Sequence, residues 1–312
     1  MTSQTLSFTI LGTGALGGFY GARLLHHGFQ VRFIAHSDAD YMRQHGLRVD
    51  SPLGDLHHFP VDVYRASDEI PQSDVVCVAL KTTQNHQLVD LLRPLVRPGT
   101  VILNFQNGLT MEEALSEAFP DSPVVAGLCF LCSNKLGPGH IAHLDYGLVS
   151  FAPQDARGQA WVPRLMDAFA SSGVKVERFP SLLKARWRKL AWNIPFNGLS
   201  VVLDANTDSI MRDPDARALA EQLMAEVALG AAACGAPFDA GFTAKLLEVT
   251  EAMTPYAPSM RLDYLAKRAL EIEFMYDRPL REVAKLGVRL PAVEAIARQL
   301  HFLDRRNRQG DT

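Results

Sequence analysis

Cysteine is scarce in this chain, with four in 312 residues, and that rules out the disulfide framework that staples small secreted folds. No stretch approaches the roughly 18 apolar residues that a membrane-spanning helix needs, so no membrane partner is expected. Charge of one sign is missing too. A total of 31 Lys plus Arg against 34 Asp plus Glu gives a formal charge of −3, which provides no overall attraction for nucleic acid or anionic lipid. The first 18 residues carry no cationic segment ahead of their apolar ones, so no leader is expected and a cytoplasmic location is the default reading. The 22 glycines and 18 prolines follow no period, and a composition of 47% hydrophobic and 21% charged residues is neither collagen-like nor disordered.

What is present is apolar material for two cores, since a chain of this length suggests about two domains. Cys129 and Cys132 form a C-x-x-C inside a strand-like run, 124–132, where alternation sends the two side chains to opposite faces. No redox or metal role is assigned to them. Cys77 and Cys234 lie in apolar surroundings and read as core packing.

Over residues 1–180 two hydrophobic periods alternate, the signature of β-α-β units on a parallel sheet. Residues 6–11 read as a strand, followed by a glycine-rich turn, a helix over 15–27 stopped by Gly28, and a second strand over 31–35. The continuous apolar runs 75–80 and 101–105 read as strands covered on both faces, with a helical pattern over 84–96 between them. Residues 47–63, interrupted by Pro52 and Gly54, read as a hairpin, and 147–151 and 174–178 as strands added at the far edge. Beyond Pro180 the strand signals stop. Helical patterns follow over 182–203, 213–234, 239–251, 260–286 (bent at Pro279) and 291–303, ahead of a frayed polar tail, 305–312. The predicted architecture is therefore α/β: an N-terminal Rossmann-type doubly wound parallel sheet over 1–180 and a C-terminal all-helical domain over 181–312.

Gly12, Thr13, Gly14, Ala15, Leu16 and Gly17 spell G-x-G-x-x-G between the first strand and the first helix, the context in which this short pattern signals a dinucleotide site. Gly12 permits the tight turn, Gly14 lets backbone approach a pyrophosphate held by the helix N-terminus, and Gly17 lets helix and strand pack closely. An acid at the end of the second strand would bond a ribose 2′-hydroxyl and repel a 2′-phosphate. Here the chain reads Ala35-His36-Ser37. With His36 in place of the acid and Arg32 near, NADP is favoured over NAD, although Asp38 and Asp40 follow closely.

In the first helix past Pro180, Lys189, Asn193 and Asn197 recur every fourth residue and share one face. Their neighbours Leu190, Ala191, Trp192, Ile194, Pro195 and Phe196 are apolar, so a polar stripe crosses an otherwise buried helix. Pro195 removes one helical hydrogen bond, which predicts a kink and a freed carbonyl beside the stripe. The plain alternative is a solvated basic patch of Arg186, Arg188 and Lys189, with the asparagines bonding backbone.

At this point the sequence resembles the ketopantoate reductase family over nearly its whole length. The matching pieces are the glycine turn 12–17, Leu80-Lys81, Gln106-Asn107-Gly108-Leu109, Lys189-Leu190-Ala191 with Asn193 and Asn197, Ser259-Met260, and Glu271-Ile272-Glu273. The resemblance implies hydride transfer from NADPH to the ketone of a small-molecule 2-oxo acid in a cleft between the domains. Lys189 would then be the general acid, a role for which a partly desolvated ammonium is suited. Glu271 would orient it or bond a substrate hydroxyl; its plain alternative is a solvated helix glutamate paired with Lys267. Asn193, Asn197 and Ser259 would bind substrate, Ser259 being also a natural N-cap. Lys81 and Asn107 would face the ribose and nicotinamide of the cofactor. A homodimer is compatible with this reading.

The chain departs from the family pattern where an arginine is usual, at His36, and where an asparagine and a glycine are usual, at Tyr276 and Asp277. Asn206 lies near, not on, another family asparagine. The cofactor side thus reads as intact and the substrate side as altered. The rival readings are another two-domain NAD(P)-dependent hydroxy-acid or opine dehydrogenase, for which none of the ten histidines has a comparable motif, and a non-catalytic NADP-sensing protein, which would have no need of Lys189.

Overall fold

The computed structural model describes residues 6–68 and 70–309. Its chain divides into two compact units, one running to Gln106 and resuming over Glu112–Leu182, the other combining Asn107–Met111 with everything from Leu183 onward. Five residues after the fourth core strand thus belong with the helical unit, an excursion that the linear pattern does not announce.

The first unit is built on ten strands: β1 (Ser7–Leu11), β2 (Gln30–Ile34), β3 (Leu47–Asp50), β4 (Leu56–His58), β5 (Asp62–Tyr64), β6 (Val75–Val78), β7 (Val101–Asn104), β8 (Val124–Gly137), β9 (His140–Pro153) and β10 (Val176–Arg178). They form one sheet in the order β4-β3-β9-β8-β7-β6-β1-β2-β5, with β10 also on β9. The pairs from β5 through β8 are parallel, while β8 and β9 run antiparallel. Alternation decides which side each residue covers. Phe8, Ile10, Val75 and Cys77 face a core with α1 (Ala15–His26) and α5 (Ala156–Ser171), and Leu11, Val76, Val78 and Ile102 face a second core with α3 (Leu88–Leu92) and α4 (Met111–Ala118). Burial on both faces explains why these strands read as unbroken apolar runs.

Several expectations need correction here. The segment 84–96 is not one helix: a 3₁₀ turn, Thr82–Gln87, leads into the short α3. Residues 147–151 are no edge strand but part of the 14-residue β9, which lies inside the sheet against β8, β3 and β10. A register shift between Phe130 and Leu131 interrupts the alternation around the C-x-x-C, and Cys129 and Cys132 are both buried, neither of them in a disulfide. Burial pushes the Cys132 thiol up to about 12, so it stays protonated and unreactive at neutral pH.

The second unit contains α6 (Leu182–Val202), α7 (Thr207–Arg212), α8 (Pro214–Ala233), α9 (Phe242–Ala252), α10 (Ser259–Leu265), α11 (Arg278–Ala284) and α12 (Pro291–Gln309) around a core centred on Trp187, Phe196 and Tyr276. Local chemistry sets its boundaries. Asp213 caps α8 by accepting from the Asp215 and Ala216 amides at 3.0 and 2.8 Å, with Pro214 in the first turn. Glu226, on α8, accepts from the Ala292 and Val293 amides at 3.0 Å each and so caps α12. The expected long helix over 260–286 breaks: α10 ends at Leu265, Lys267 adopts φ +53°, and a π-helical turn, Glu273–Asp277, precedes α11. Pro279 stands in the first turn of α11, directly after the π-helical turn. Residues 305–309 are helical, not frayed, and 310–312 lie outside the described residues.

Candidate active site

The glycine turn connects β1 to α1 as its pattern requires. Gly12 has φ +100°, a region that side chains rarely enter, and its amide donates to the Ile34 carbonyl at 3.3 Å. Thr13 turns inward, its hydroxyl donating to the same carbonyl at 3.2 Å. Gly14 precedes Ala15 and Leu16 of α1 without a side-chain cap, the first turn holds no acid, and a Cβ at Gly14 would meet nothing within 4 Å. A Cβ at Gly17 would overlap the Gly12 carbonyl oxygen. Open space at Gly14 beside uncapped first-turn amides suits a pyrophosphate, which needs backbone donors and close approach.

Beyond the end of β2 both acids are engaged by cations of the protein. Asp38 is buried, and although that burial opposes ionisation, hydrogen bonds from Lys135 (2.6 Å), the Gly139 amide (3.1 Å) and Ser37 (2.8 Å) outweigh it and hold its carboxyl below the usual range. Asp40 is ion-paired with both Arg43 and Arg65. His36 is exposed. Arg32 does not reach this rim, contrary to expectation. It sits mid-strand, 3.1 Å from Ser73 Oγ and 3.5 Å from the Asp62 carboxylate on β5, because a strand pairing remote in sequence supplies its partner. The basic residue that sequence reasoning missed is Arg65, directly after β5; no motif marks it, and only the β2–β5 pairing brings it here.

Lys81 opens the 3₁₀ turn that follows β6. The turn is braced by Gln106, whose side-chain amide donates to the Leu80 carbonyl at 3.0 Å and to Asn85 Oδ1 at 2.6 Å. In the second unit Asn107 has a buried side-chain oxygen with no hydrogen-bond partner among the described residues, an acceptor that the protein leaves unsatisfied.

The stripe on α6 is buried as its surroundings predict. Lys189 is 7% exposed, Asn193 6% and Asn197 2%. The solvated-patch alternative fails, since Arg186 is also buried and Arg188 turns to Asp239 at 3.0 Å. Asn193 Nδ2 is buried with no partner among the described residues. Asn197 Oδ1 accepts from the Met260 amide at 3.1 Å and from Ser259 Oγ at 3.4 Å. Ser259 is therefore not the N-cap of α10; Pro258 holds that position and the serine hydroxyl reaches back to α6. Glu271 is 5% exposed on a non-helical stretch, which removes the reading of a solvated helix glutamate paired with Lys267. Sequence reasoning also missed Tyr276 as a neighbour of this stripe. Its hydroxyl donates to the Ile194 carbonyl at 2.8 Å.

A largely parallel sheet with a glycine turn at its first crossover, followed by a helical unit with a buried lysine and two amides on one helix face, defines a dinucleotide-dependent oxidoreductase of two units. Comparison with known proteins narrows the class. Residues 8–156 match the family described as ketopantoate reductase PanE/ApbA and 181–304 its C-terminal counterpart, so the chain belongs to the ketopantoate reductase family, whose members are pyridine-nucleotide-dependent reductases. It is 45% identical over 309 residues to a 2-dehydropantoate 2-reductase of Nostoc sp. (strain PCC 7120), covering 97% of each chain. Among solved structures it is similar to the 2-dehydropantoate 2-reductase of Geobacter metallireducens, with TM-score 0.92 and 39% identity over 95% of this chain and 99% of that one. The corresponding enzyme of Methylococcus capsulatus gives TM-score 0.87 and 31% identity over 97% and 98%.

Proposed function

We propose that the chain reduces a 2-oxo acid, ketopantoate or a close relative, to the 2-hydroxy acid with NADPH as reductant. The observation that carries this reading is the buried face of α6, where the Lys189 ammonium and, one turn on, an Asn193 amide nitrogen with no hydrogen-bond partner among the described residues lie on an apolar helix. Donors excluded from water gain most from a ligand oxygen on which negative charge grows. Lys189 polarises the ketone and delivers its proton to the forming alkoxide. Asn193 donates to a substrate oxygen. With Oδ1 of Asn197 committed to Met260 and Ser259, Asn197 presents only its NH2, and Ser259, having given its hydrogen, accepts from a substrate hydroxyl. Glu271 orients the ammonium or takes a second hydroxyl.

Gly12, Thr13, Gly14, Ala15, Leu16 and Gly17 hold the pyrophosphate of the cofactor, and Lys81 and Asn107 its ribose and nicotinamide side. When bound, the reduced nicotinamide supplies the hydride. His36 stands where an acid would repel a 2′-phosphate, Asp38 is turned inward, and Arg43 and Arg65 share the single carboxylate of Asp40, which leaves one cation in surplus at the rim. A charged hydrogen bond to phosphate is worth about 1.5–3 kcal/mol, so NADPH is expected to bind roughly ten- to a hundredfold more tightly than NADH. Equal dissociation constants in a fluorescence titration would contradict this. The reaction itself is tested with NADPH deuterated at the transferring position. A 2-hydroxy acid carrying deuterium at C2 supports the reading, and recovery of ketopantoate and its close 2-oxo acid relatives all unreacted opposes it.

A further inference from the structure

Tyr276 stands where the sequence departs from the family pattern, and its surroundings give the departure a physical meaning. The ring is fully buried. Its hydroxyl donates to the Ile194 carbonyl at 2.8 Å, four residues before the Gly198 amide. Those two backbone groups are the ends of one i to i+4 rung of α6. Three residues earlier, the rung from the Ala191 carbonyl has no donor at all, because its nitrogen would be that of Pro195. This stretch of α6 thus combines a rung that proline abolishes with one whose carbonyl also serves a phenol. Gly198 makes the approach feasible: a Cβ there would lie 2.8 Å from the Tyr276 oxygen and 2.6 Å from Ile296 Cγ2.

The phenol is itself held in place. It belongs to the π-helical turn Glu273–Asp277, a geometry whose displaced carbonyls can serve partners outside the helix. The Phe274 carbonyl accepts from the Leu109 amide at 3.0 Å, and a Cβ at Gly108 would overlap it. Arg278 lies 2.8 Å from Thr110 Oγ1 and stacks over the Phe274 ring. Asp277 binds His301 of α12 at 3.0 Å. The turn is bolted to the loop that carries Asn107 on one side and to α12 on another, so little freedom remains in where the hydroxyl lies.

We infer that Tyr276 is a positioning residue of this reductase, its hydroxyl setting the phase between the Lys189 and Asn193 part of α6 and the part that carries Asn197 and, through it, Ser259. The inference rests on the functional reading above. Without the hydroxyl the Ile194 carbonyl loses its second donor, α6 is released from the π-helical turn at this point, and the proton donor and the substrate-holding amide no longer address one ligand together.

The test compares wild type with Tyr276→Phe, which removes one oxygen and keeps the ring packing. NADPH affinity, melting temperature, kcat and KM for the 2-oxo acid are all measured. The expected result is a fall in kcat of at least tenfold with a raised KM and an NADPH dissociation constant within about twofold of wild type. Gly198→Ala, which pushes the hydroxyl away from the helix by a different route, should give the same split. A lowered melting temperature with wild-type kcat and KM in both variants means that the hydroxyl only stabilises the fold, and overturns the inference alone. A wild-type protein that binds NADPH and reduces no 2-oxo acid overturns the functional reading, and the inference with it.

Discussion

Lys189→Ala is expected to lower kcat by about a hundred- to ten-thousandfold, or roughly 3–5 kcal/mol of barrier, while NADPH affinity stays nearly unchanged. An ammonium that is 7% exposed on an apolar helix face acts in a site largely shielded from water, where its attraction for an alkoxide strengthens as negative charge grows in the transition state. The glycine turn belongs to the other unit and keeps its sequence, so ground-state binding of cofactor should survive. Arg188→Ala is the control of equal charge. Its guanidinium lies 4.0 Å over the Phe242 ring and 3.0 Å from Asp239, contacts of a partly exposed side chain that contribute at most about 1 kcal/mol. Steady-state kinetics on the two variants decide the matter. Equal losses in both, or a lysine variant that chiefly weakens NADPH binding, would make the stripe a generic basic region.

The second large effect is expected at Gly17→Ala. A Cβ there overlaps the Gly12 carbonyl oxygen and comes within 2.9 Å of Ala79 Cβ and Ile10 Cγ2, so backbone must move, and no flexible side chain can absorb the strain. Overpacking of this kind costs about 1–3 kcal/mol, and the strain falls on the turn that would face the pyrophosphate. NADPH affinity should drop roughly a hundredfold, equivalent to about 2.7 kcal/mol, with the circular dichroism of the folded protein retained. An unchanged dissociation constant would show that the turn is not where the cofactor lies.

These two sites were legible from the sequence for different reasons. The glycine turn announces itself because each glycine answers a separate steric demand within a few residues. The α6 stripe announces itself because polar residues at helical spacing stand out against Trp192, Ile194 and Phe196. What stayed hidden depends on pairing between distant segments. Arg32 read as near the strand end, yet its partners Asp62 and Ser73 come from elsewhere in the sheet, and Arg65 reaches the rim only through β5. The apolar spacing across 260–286 continues through a break that only the positive φ of Lys267 reveals, so a solvated helix position stayed open as the alternative for Glu271 and Tyr276 read as a mere departure. The outer half of the β8–β9 ribbon, which includes Ser133, Asn134, Lys135 and Asp145, lacks the apolar alternation that marks a strand, and backbone pairing alone carries it. The excursion of Asn107–Met111 into the helical unit follows from the Leu109 amide meeting Phe274, a contact across more than half the chain.

The measurement that tests the account most directly is kcat/KM for NADPH consumption against a panel of 2-oxo acids with ketopantoate included, run beside NAD-dependent oxidation of the matching 2-hydroxy acids. The account predicts NADPH-dependent reduction of ketopantoate or a close 2-oxo acid relative, lowered at least about a hundredfold in Lys189→Ala and retained in Arg188→Ala. Turnover that appears only as NAD-linked alcohol oxidation, or that survives the loss of Lys189, would contradict it.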